Sequence, residues 1–289
     1  MKGIDALTTI NKIIRLIITP KLRMKIVSFR RKVLSQRLRK SKIGNLVPPL
    51  ELIRVSNPEQ YIETGEDWAK RIVDFGGLRP TDRVLDVGCG NGRVAAWLTP
   101  FLSTGEYFGF DIRQDEIDWL SKHFTTNFPN FHFLYSPVHN AFYNPEGHIS
   151  AGSYDFSFPD NHFDFVYLTS VFTHMLPTDL TQYLSEIHRV LRKGGRCFIS
   201  YFLLTSDSRR KILEGYSSRT FISEAAPHCF TDNTEIPEDA LAYDREYIFD
   251  LYKNMGFRII LPVHYGQWCQ SSVHNTAIDY QDIVLVEKI

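Results

Sequence analysis

The residues Val84-Leu85-Asp86-Val87-Gly88-Cys89-Gly90-Asn91-Gly92-Arg93 combine a short apolar run, an acid inside it and glycines at every second position. Such glycines let a backbone turn sharply and let a ligand approach main-chain N–H groups with no Cβ in the way. The spacing is GxGxG, whereas a dinucleotide fingerprint is GxGxxG, whose last glycine would fall on Arg93. Asp86 precedes the first glycine by two residues. A carboxylate there repels a pyrophosphate and suits a ligand carrying an ammonium group. Phe110-Asp111-Ile112 follows 19 residues beyond Gly92, and an acid at that place accepts both hydroxyls of a ribose. A glycine triplet alone is also what a structural turn needs. The two acids beside it make ligand binding the stronger reading.

These residues must be held by alternating strands and helices. Residues 83–87, 107–110, 131–135, 163–168, 197–204, 257–263 and 283–287 read as buried strands. Between them, apolar residues at helical spacing predict helices at Val94-Trp97-Leu98-Phe101, at Ile117-Leu120-Phe124 and over 180–191, the last closed by Gly194-Gly195. Helices are also expected over 60–75 and 245–254, while 205–243 is mixed and has no clear period. The expected fold is α/β, a doubly wound, mostly parallel seven-stranded sheet covered on both faces. Ligands of such sheets bind at the carboxyl ends of the strands.

DVGCGNGR and GFDI resemble the first and second motifs of the class I S-adenosylmethionine-dependent methyltransferases. The likeness continues through Phe158-Pro159-Asp160-Asn161-His162-Phe163-Asp164 before the fourth strand and Ser170-Val171-Phe172-Thr173-His174-Met175 after it. Glu186-Ile187-His188-Arg189-Val190-Leu191-Arg192-Lys193-Gly194-Gly195 and Asn254-Met255-Gly256-Phe257 complete the set. The resemblance runs from about residue 60 to the C-terminus and implies S-adenosyl-L-methionine as cofactor. It implies that Gly88, Cys89, Gly90 and Gly92 line the methionine part, with Asp86 close to its amino group. Asp111 would hold the ribose, Ile112 would lie against the adenine, and Thr169 and Ser170 would back the sulfonium. The family often places an acid after the third strand to hold the adenine amine. Ser136-Pro137-Val138-His139-Asn140 contains none, and Asn140, through its side-chain carbonyl, is the substitute.

Methyl transfer from a sulfonium needs alignment more than acid–base help. A base is useful for a hydroxyl acceptor. His174, just past the fourth strand, is the candidate base; a structural role in capping or packing the next helix is the competing reading. Tyr167, in a buried strand, reads as core. Tyr135, Phe142, Tyr143, Phe156 and Phe158 either line an acceptor pocket or pack beneath a loop. Ser208-Arg209-Arg210-Lys211 reads as a solvated helix start, or as a site for an anionic acceptor. His264, Tyr265 and Trp268 are placed to close the pocket from another side.

The chain has 33 Lys+Arg against 33 Asp+Glu, but they are unevenly spread. Up to residue 50 there are 13 bases and one acid, net +12, and the remaining 20 bases face 32 acids, net −12. Two domains are therefore expected, a basic amphipathic helical arm over 1–50 and a methyltransferase-like body over 51–289. Leu7, Ile10, Ile14 and Ile17, then Leu22, Ile26, Phe29 and Val33, give the arm two apolar stripes. It reads equally as a membrane-surface helix pair through residues 1–47 or as a surface packed on protein. A transit peptide and a nucleic-acid arm stay as weaker readings, the latter because an acidic body repels a polyanion.

No transmembrane span or secretory leader is apparent, since Lys12, Arg15 and Pro20 interrupt the apolar stretch. The expected location is cytoplasmic, at the membrane periphery if the arm binds lipid. Cys89, Cys197, Cys229 and Cys269 form no CxxC pair and read as reduced thiols, with no metal implied. The functional expectation is methyl transfer to a small-molecule, lipid-linked or glycan acceptor at oxygen. The competing classes are a nicotinamide-dependent oxidoreductase, which the GxGxG spacing and Asp86 oppose, and a non-catalytic cofactor-binding or membrane-docked protein.

Overall fold

The computed structural model describes residues 43–53, 58–269 and 279–289. The two helices expected before residue 34 lie outside them. The chain divides into two compact units, Met1–Glu63 and Thr64–Ile289.

The second unit is built on a seven-stranded sheet of order β10-β11-β5-β4-β1-β2-β3. Its strands are β1 (Arg83–Val87), β2 (Glu106–Asp111), β3 (Phe131–Tyr135), β4 (Phe163–Leu168), β5 (Leu191–Tyr201), β10 (Phe257–His264) and β11 (Asp282–Lys288). All pairs are parallel except those of β11, which runs antiparallel to both β5 and β10. β1 and β4 are buried along nearly their whole length, Asp86 included, because both faces are covered. Chain order reverses between β1 and β4, and the crevice at their carboxyl ends is where such a sheet takes ligands.

α1 (Pro58–Asp74) precedes β1, and the connections between strands use α2 (Ala95–Leu98), α3 (Gln114–His123), α4 (Pro177–Val190) and α6 (Arg245–Asn254). The helix after the glycine loop is only four residues long, shorter than Val94 to Phe101 promised. α4 buries Leu180, Tyr183, Leu184, Ile187 and Val190 against the sheet.

Two expectations are corrected. β5 begins at Leu191, so Gly194-Gly195 lie inside the strand rather than closing the helix before it. Gly194 sits at φ +71, a conformation costly for other residues. β5 also stops at Tyr201 rather than Leu204. Leu203–Leu204 (β6) leaves for a second sheet of order β6-β9-β8-β7, with β7 (Ser223–Ala226), β8 (Cys229–Thr231) and β9 (Leu241–Asp244). This sheet and α5 (Ser206–Leu213) are what the unreadable stretch 205–243 forms, around a core of Phe202, Leu204, Phe221, Ala242, Trp268 and Cys269. Buried Asp282 at the start of β11 holds the two sheets together. It accepts hydrogen bonds from Leu203 N at 2.6 Å, Gly266 N at 2.6 Å and Trp268 Nε1 at 3.0 Å.

Candidate functional site

The glycine loop leaves β1 and crosses to the end of β2. Gly88 N and Cys89 N both donate to Phe110 O, at 2.9 and 3.0 Å. Gly88 sits at φ +78, and a Cβ there would come within 2.5 Å of Val171 Cγ2. Gly92, at φ +77, would place one 2.4 Å from Leu120 Cδ2. Both positions therefore exclude a side chain twice over, by conformation and by packing. Gly90 differs: the nearest atom to its Cβ position, Glu116 Oε2, is 3.7 Å away. The Cys89 thiol is buried, and burial raises its pKa well above the ordinary value, so it is a packing group.

Asp111 closes the loop. Its Oδ2 accepts Gly90 N at 2.7 Å and its Oδ1 accepts Arg113 N at 3.0 Å. Each carboxylate oxygen keeps a second lone pair. Arg113 in turn pairs with buried Glu116. Burial raises the Asp111 pKa, against the Gly90 amide and the Arg113 charge. Ile112 is half-buried against the main core.

Asp86 lies in the middle of the sheet. Its Oδ2 accepts the hydroxyls of Tyr107 and Tyr167, each at 2.6 Å. Burial pushes its pKa up to about 7. Tyr167 is buried, as expected of a core residue, yet its hydroxyl serves the acid. Tyr107 was not singled out from the sequence; its register beside Val84 was the available signal. Among the described residues, Asp86 Oδ1, Ser136 Oγ and Thr173 Oγ1 are buried without a hydrogen-bond partner. They belong to β1 and to the segments just after β3 and β4, which share one edge of the sheet.

The segment after β4 is tied down. Ser170 adopts φ +59, its N donates to Ser200 Oγ at 2.7 Å, and its Oγ donates to Gln281 Oε1 at 3.0 Å. Thr169 is half-buried beside it. His174 ends a 3-10 turn, Phe172–His174. Its Nδ1 lies 2.8 Å from Glu238 O, which assigns the proton to Nδ1 in the neutral ring. The basic Nε2 then lies 3.4 Å from the Tyr143 hydroxyl. Burial lowers the His174 pKa, so the ring is neutral near pH 7 and competent as a base. Burial raises the Tyr143 pKa, and the charges of Asp239, Arg113 and Asp111 act on its phenol as well.

Several expectations change here. Asn140 Oδ1 already accepts Phe142 N at 3.1 Å and Tyr143 N at 2.8 Å, so its carbonyl is engaged in a local turn rather than held ready for an adenine amine. Phe156 is core, whereas Tyr135, Phe142 and Tyr143 are exposed. Trp268 is buried in the second sheet's core and closes no pocket. Tyr265 is bonded by Arg245, and His264 lies against Phe75. Ser208 forms a capping box with Thr205, while Arg209 pairs with Asp244, and Arg210 and Lys211 with acids of α5 and Glu214. That run is a helix start, as the solvated reading held.

These residues fit a sulfonium nucleoside with an amino-acid tail. Asp86 offers a spare buried acceptor, Asp111 has lone pairs left for a ribose, and a Cβ at Gly90 would meet only Glu116 Oε2, at 3.7 Å.

Comparisons with known proteins agree. Residues 85–199 match the methyltransferase domain family model. A fatty-acid O-methyltransferase of Mycolicibacterium smegmatis is 32% identical over 43% of this chain and 36% of its own length. A 2-phytyl-1,4-naphtoquinone methyltransferase of Trichormus variabilis is 25% identical over 47% of this chain and 53% of its own. The chain thus spans about half or less of these relatives. Two solved structures share the fold: an S-adenosylmethionine-dependent methyltransferase from Aquifex aeolicus and a protein from Pyrococcus horikoshii. The first is 16% identical, covers 84% of this chain and 100% of that one, and has a TM-score of 0.51. The second is 19% identical, covers 82% and 93%, and has a TM-score of 0.52. Residues 85–199 are thus similar to the methyltransferase domain family, on a fold shared with solved S-adenosylmethionine-dependent methyltransferases.

Proposed function

We propose that the protein transfers a methyl group to the oxygen of a small-molecule, lipid-linked or glycan acceptor, with His174 as the general base. One observation carries the reading: His174, in the turn that follows β4, is held as the Nδ1–H tautomer by Glu238 O, and its Nε2 faces Tyr143. When bound, S-adenosylmethionine supplies an activated methyl on a sulfonium. The chain's residues do the rest. Asp86 and Asp111 fix the amino and ribose ends, the glycine loop shapes the seat, and Thr169 and Ser170 back it. As the S–CH3 bond broke and the O–CH3 bond formed, with S-adenosylhomocysteine leaving as a neutral thioether, His174 Nε2 would take the proton of the acceptor hydroxyl. The exposed rings of Tyr135, Phe142 and Tyr143 offer apolar surface to the body of the acceptor. The fatty-acid and naphtoquinone enzymes among the relatives make a lipid-like acceptor the first to try.

The test is a screen of cell extracts and lipid fractions with methyl-labelled cofactor. Label should move into an acceptor with wild-type protein and fall about 100-fold or more with His174→Ala. Undiminished labelling by that variant removes the base.

The basic arm fits an enzyme stationed at the cytoplasmic face of a membrane. No helix among the described residues is long and apolar enough to cross one. The full chain should float with anionic vesicles, lose them in high salt, and not float without residues 1–47. Equal flotation with and without the arm overturns this.

A further inference from the structure

The most connected side chain near the proposed base is one that sequence reasoning gave to the cofactor. Asn140 is buried and makes hydrogen bonds in four directions. Its Oδ1 accepts the amides of Phe142 and Tyr143. Its Nδ2 donates to His174 O at 3.2 Å and to Glu238 Oε1 at 3.1 Å. A carboxamide has two acceptor lone pairs and two N–H donors, and all four are used. Its main chain is fixed as well, by Asn140 N to Asn144 O at 3.1 Å and Asn144 N to Asn140 O at 3.0 Å.

The four contacts reach three separate excursions of the chain. Phe142 and Tyr143 belong to the loop after β3, His174 ends the turn after β4, and Glu238 lies in the turn Pro237–Asp239 before β9. The same three excursions also meet around the base: Glu238 O accepts His174 Nδ1, and Tyr143 Oη faces His174 Nε2. The Tyr143 and His174 rings meet edge-on, with centroids 5.0 Å apart. No single excursion could fix both imidazole nitrogens. The tautomer is set from the turn before β9, and the neighbour of the basic nitrogen comes from the loop after β3.

We infer that Asn140 is a positioning residue for the acceptor side of the site. It locks these three excursions into one unit, so that His174 and Tyr143 are preformed before any acceptor arrives. It acts through His174 and makes no claim on the adenine. Asp is not a substitute. A carboxylate keeps the acceptor for Phe142 N and Tyr143 N but offers no donor to His174 O and opposes the charge of Glu238.

This inference rests on His174 being the base, and its test is separable from that reading. The first measurement is the NMR titration of the His174 imidazole, assigned by its absence in His174→Gln. The groups that act on this ring are the Glu238 and Asp239 main chain, the Asp239 carboxylate, the Arg219 guanidinium and the Tyr143 phenol. The second is calorimetric binding of S-adenosylhomocysteine by the full-length chain. N140A should release the ring to water and move its midpoint up toward the free value of about 6.5, with affinity for S-adenosylhomocysteine kept within a factor of about three. N140D should move it at least as far. Adding E238Q supplies a donor facing the new carboxylate and should recover about half the shift or more.

An unmoved midpoint in N140A overturns the inference, and so does a loss of about tenfold or more in S-adenosylhomocysteine affinity. If N140A does not fold, N140D with and without E238Q decides: no recovery by the second substitution overturns it. Failure of the wild-type chain to bind S-adenosylhomocysteine would instead sink the methyltransferase reading and leave the titration result standing.

Discussion

The Tyr167 hydroxyl donates a 2.6 Å hydrogen bond to Asp86 Oδ2 from the neighbouring strand, where the two residues are direct register partners. Tyr107 donates to the same oxygen from the other side. The acid before the glycine loop is therefore built into the sheet by two phenols on flanking strands. That fixes where its second oxygen lies, and it puts an ionisable group where water cannot reach.

The consequence is a pH-dependent stability of definite sign. Burial pushes Asp86 up to about 7 from 3.8, with the two phenols acting against the rise. Between those values the folded chain holds a proton that the unfolded chain has released, so this group's contribution is fully present below about pH 4 and lost as pH rises through 7. Asp86→Asn keeps an oxygen for both phenols and abolishes the titration. It should be more stable than wild type at pH 8, by up to about 4 kcal/mol, and about equal at pH 4. Asp282, also raised to about 7 by burial, keeps part of the slope in the variant. Urea unfolding at several pH values checks this, and an unaltered slope assigns the titration elsewhere. The same variant should bind S-adenosylhomocysteine more weakly, having lost the charge proposed to meet the ligand's ammonium.

Asp111 answers a different question, because its carboxylate holds the loop and is also the proposed ribose acceptor. Asp111→Ala removes the acceptor of Gly90 N and the proposed ribose contacts together. Two lost hydrogen bonds to a charged group correspond to roughly 3 kcal/mol, or about 100-fold in S-adenosylhomocysteine affinity by calorimetry. Unchanged affinity would remove Asp111 from the site.

The loop glycines separate by cause. Gly88→Ala and Gly92→Ala each force a left-handed alanine and a clash, with Val171 and with Leu120. Each should cost about 2–4 kcal/mol in thermal or urea unfolding. Adding Val171→Ala to Gly88→Ala relieves the clash but not the backbone, so recovery should be partial. Full recovery would mean that φ carries no cost there.

The sheet was legible because its strands are long, apolar and separated by helices of regular period. Arg83–Val87, Phe131–Tyr135 and Phe163–Leu168 fall where the residues alone put them. The second sheet was not, since its strands are two to four residues long and one of its pairings is distant in sequence, Leu203 with Tyr243. No local period survives at that length. The glycines and both acids stand where their residue types put them, at the ends of β1 and β2 and in the turn between strand and helix. Asn140 is the exception. Its partners Glu238 and His174 are 98 and 34 residues away, and only the folded chain shows that its amide is fully used.

The pH dependence of turnover tests the base itself. Burial lowers the His174 pKa from 6.5, while the Asp239 charge opposes the fall and Arg219 assists it. A base must be unprotonated, so the acid limb of kcat/KM should lie below pH 6.5 and activity should be level from there to neutrality. The measurement is the rate of methyl-label incorporation into the acceptor fraction between pH 5 and 8. Asp239→Asn removes a charge that favours the imidazolium and should move the limb further toward acid without altering the plateau much. A limb that stays in place in Asp239→Asn would belong to another group. In that case the hydrogen bond from Nδ1 to Glu238 O would be holding the turn after β4 in shape rather than tuning a base.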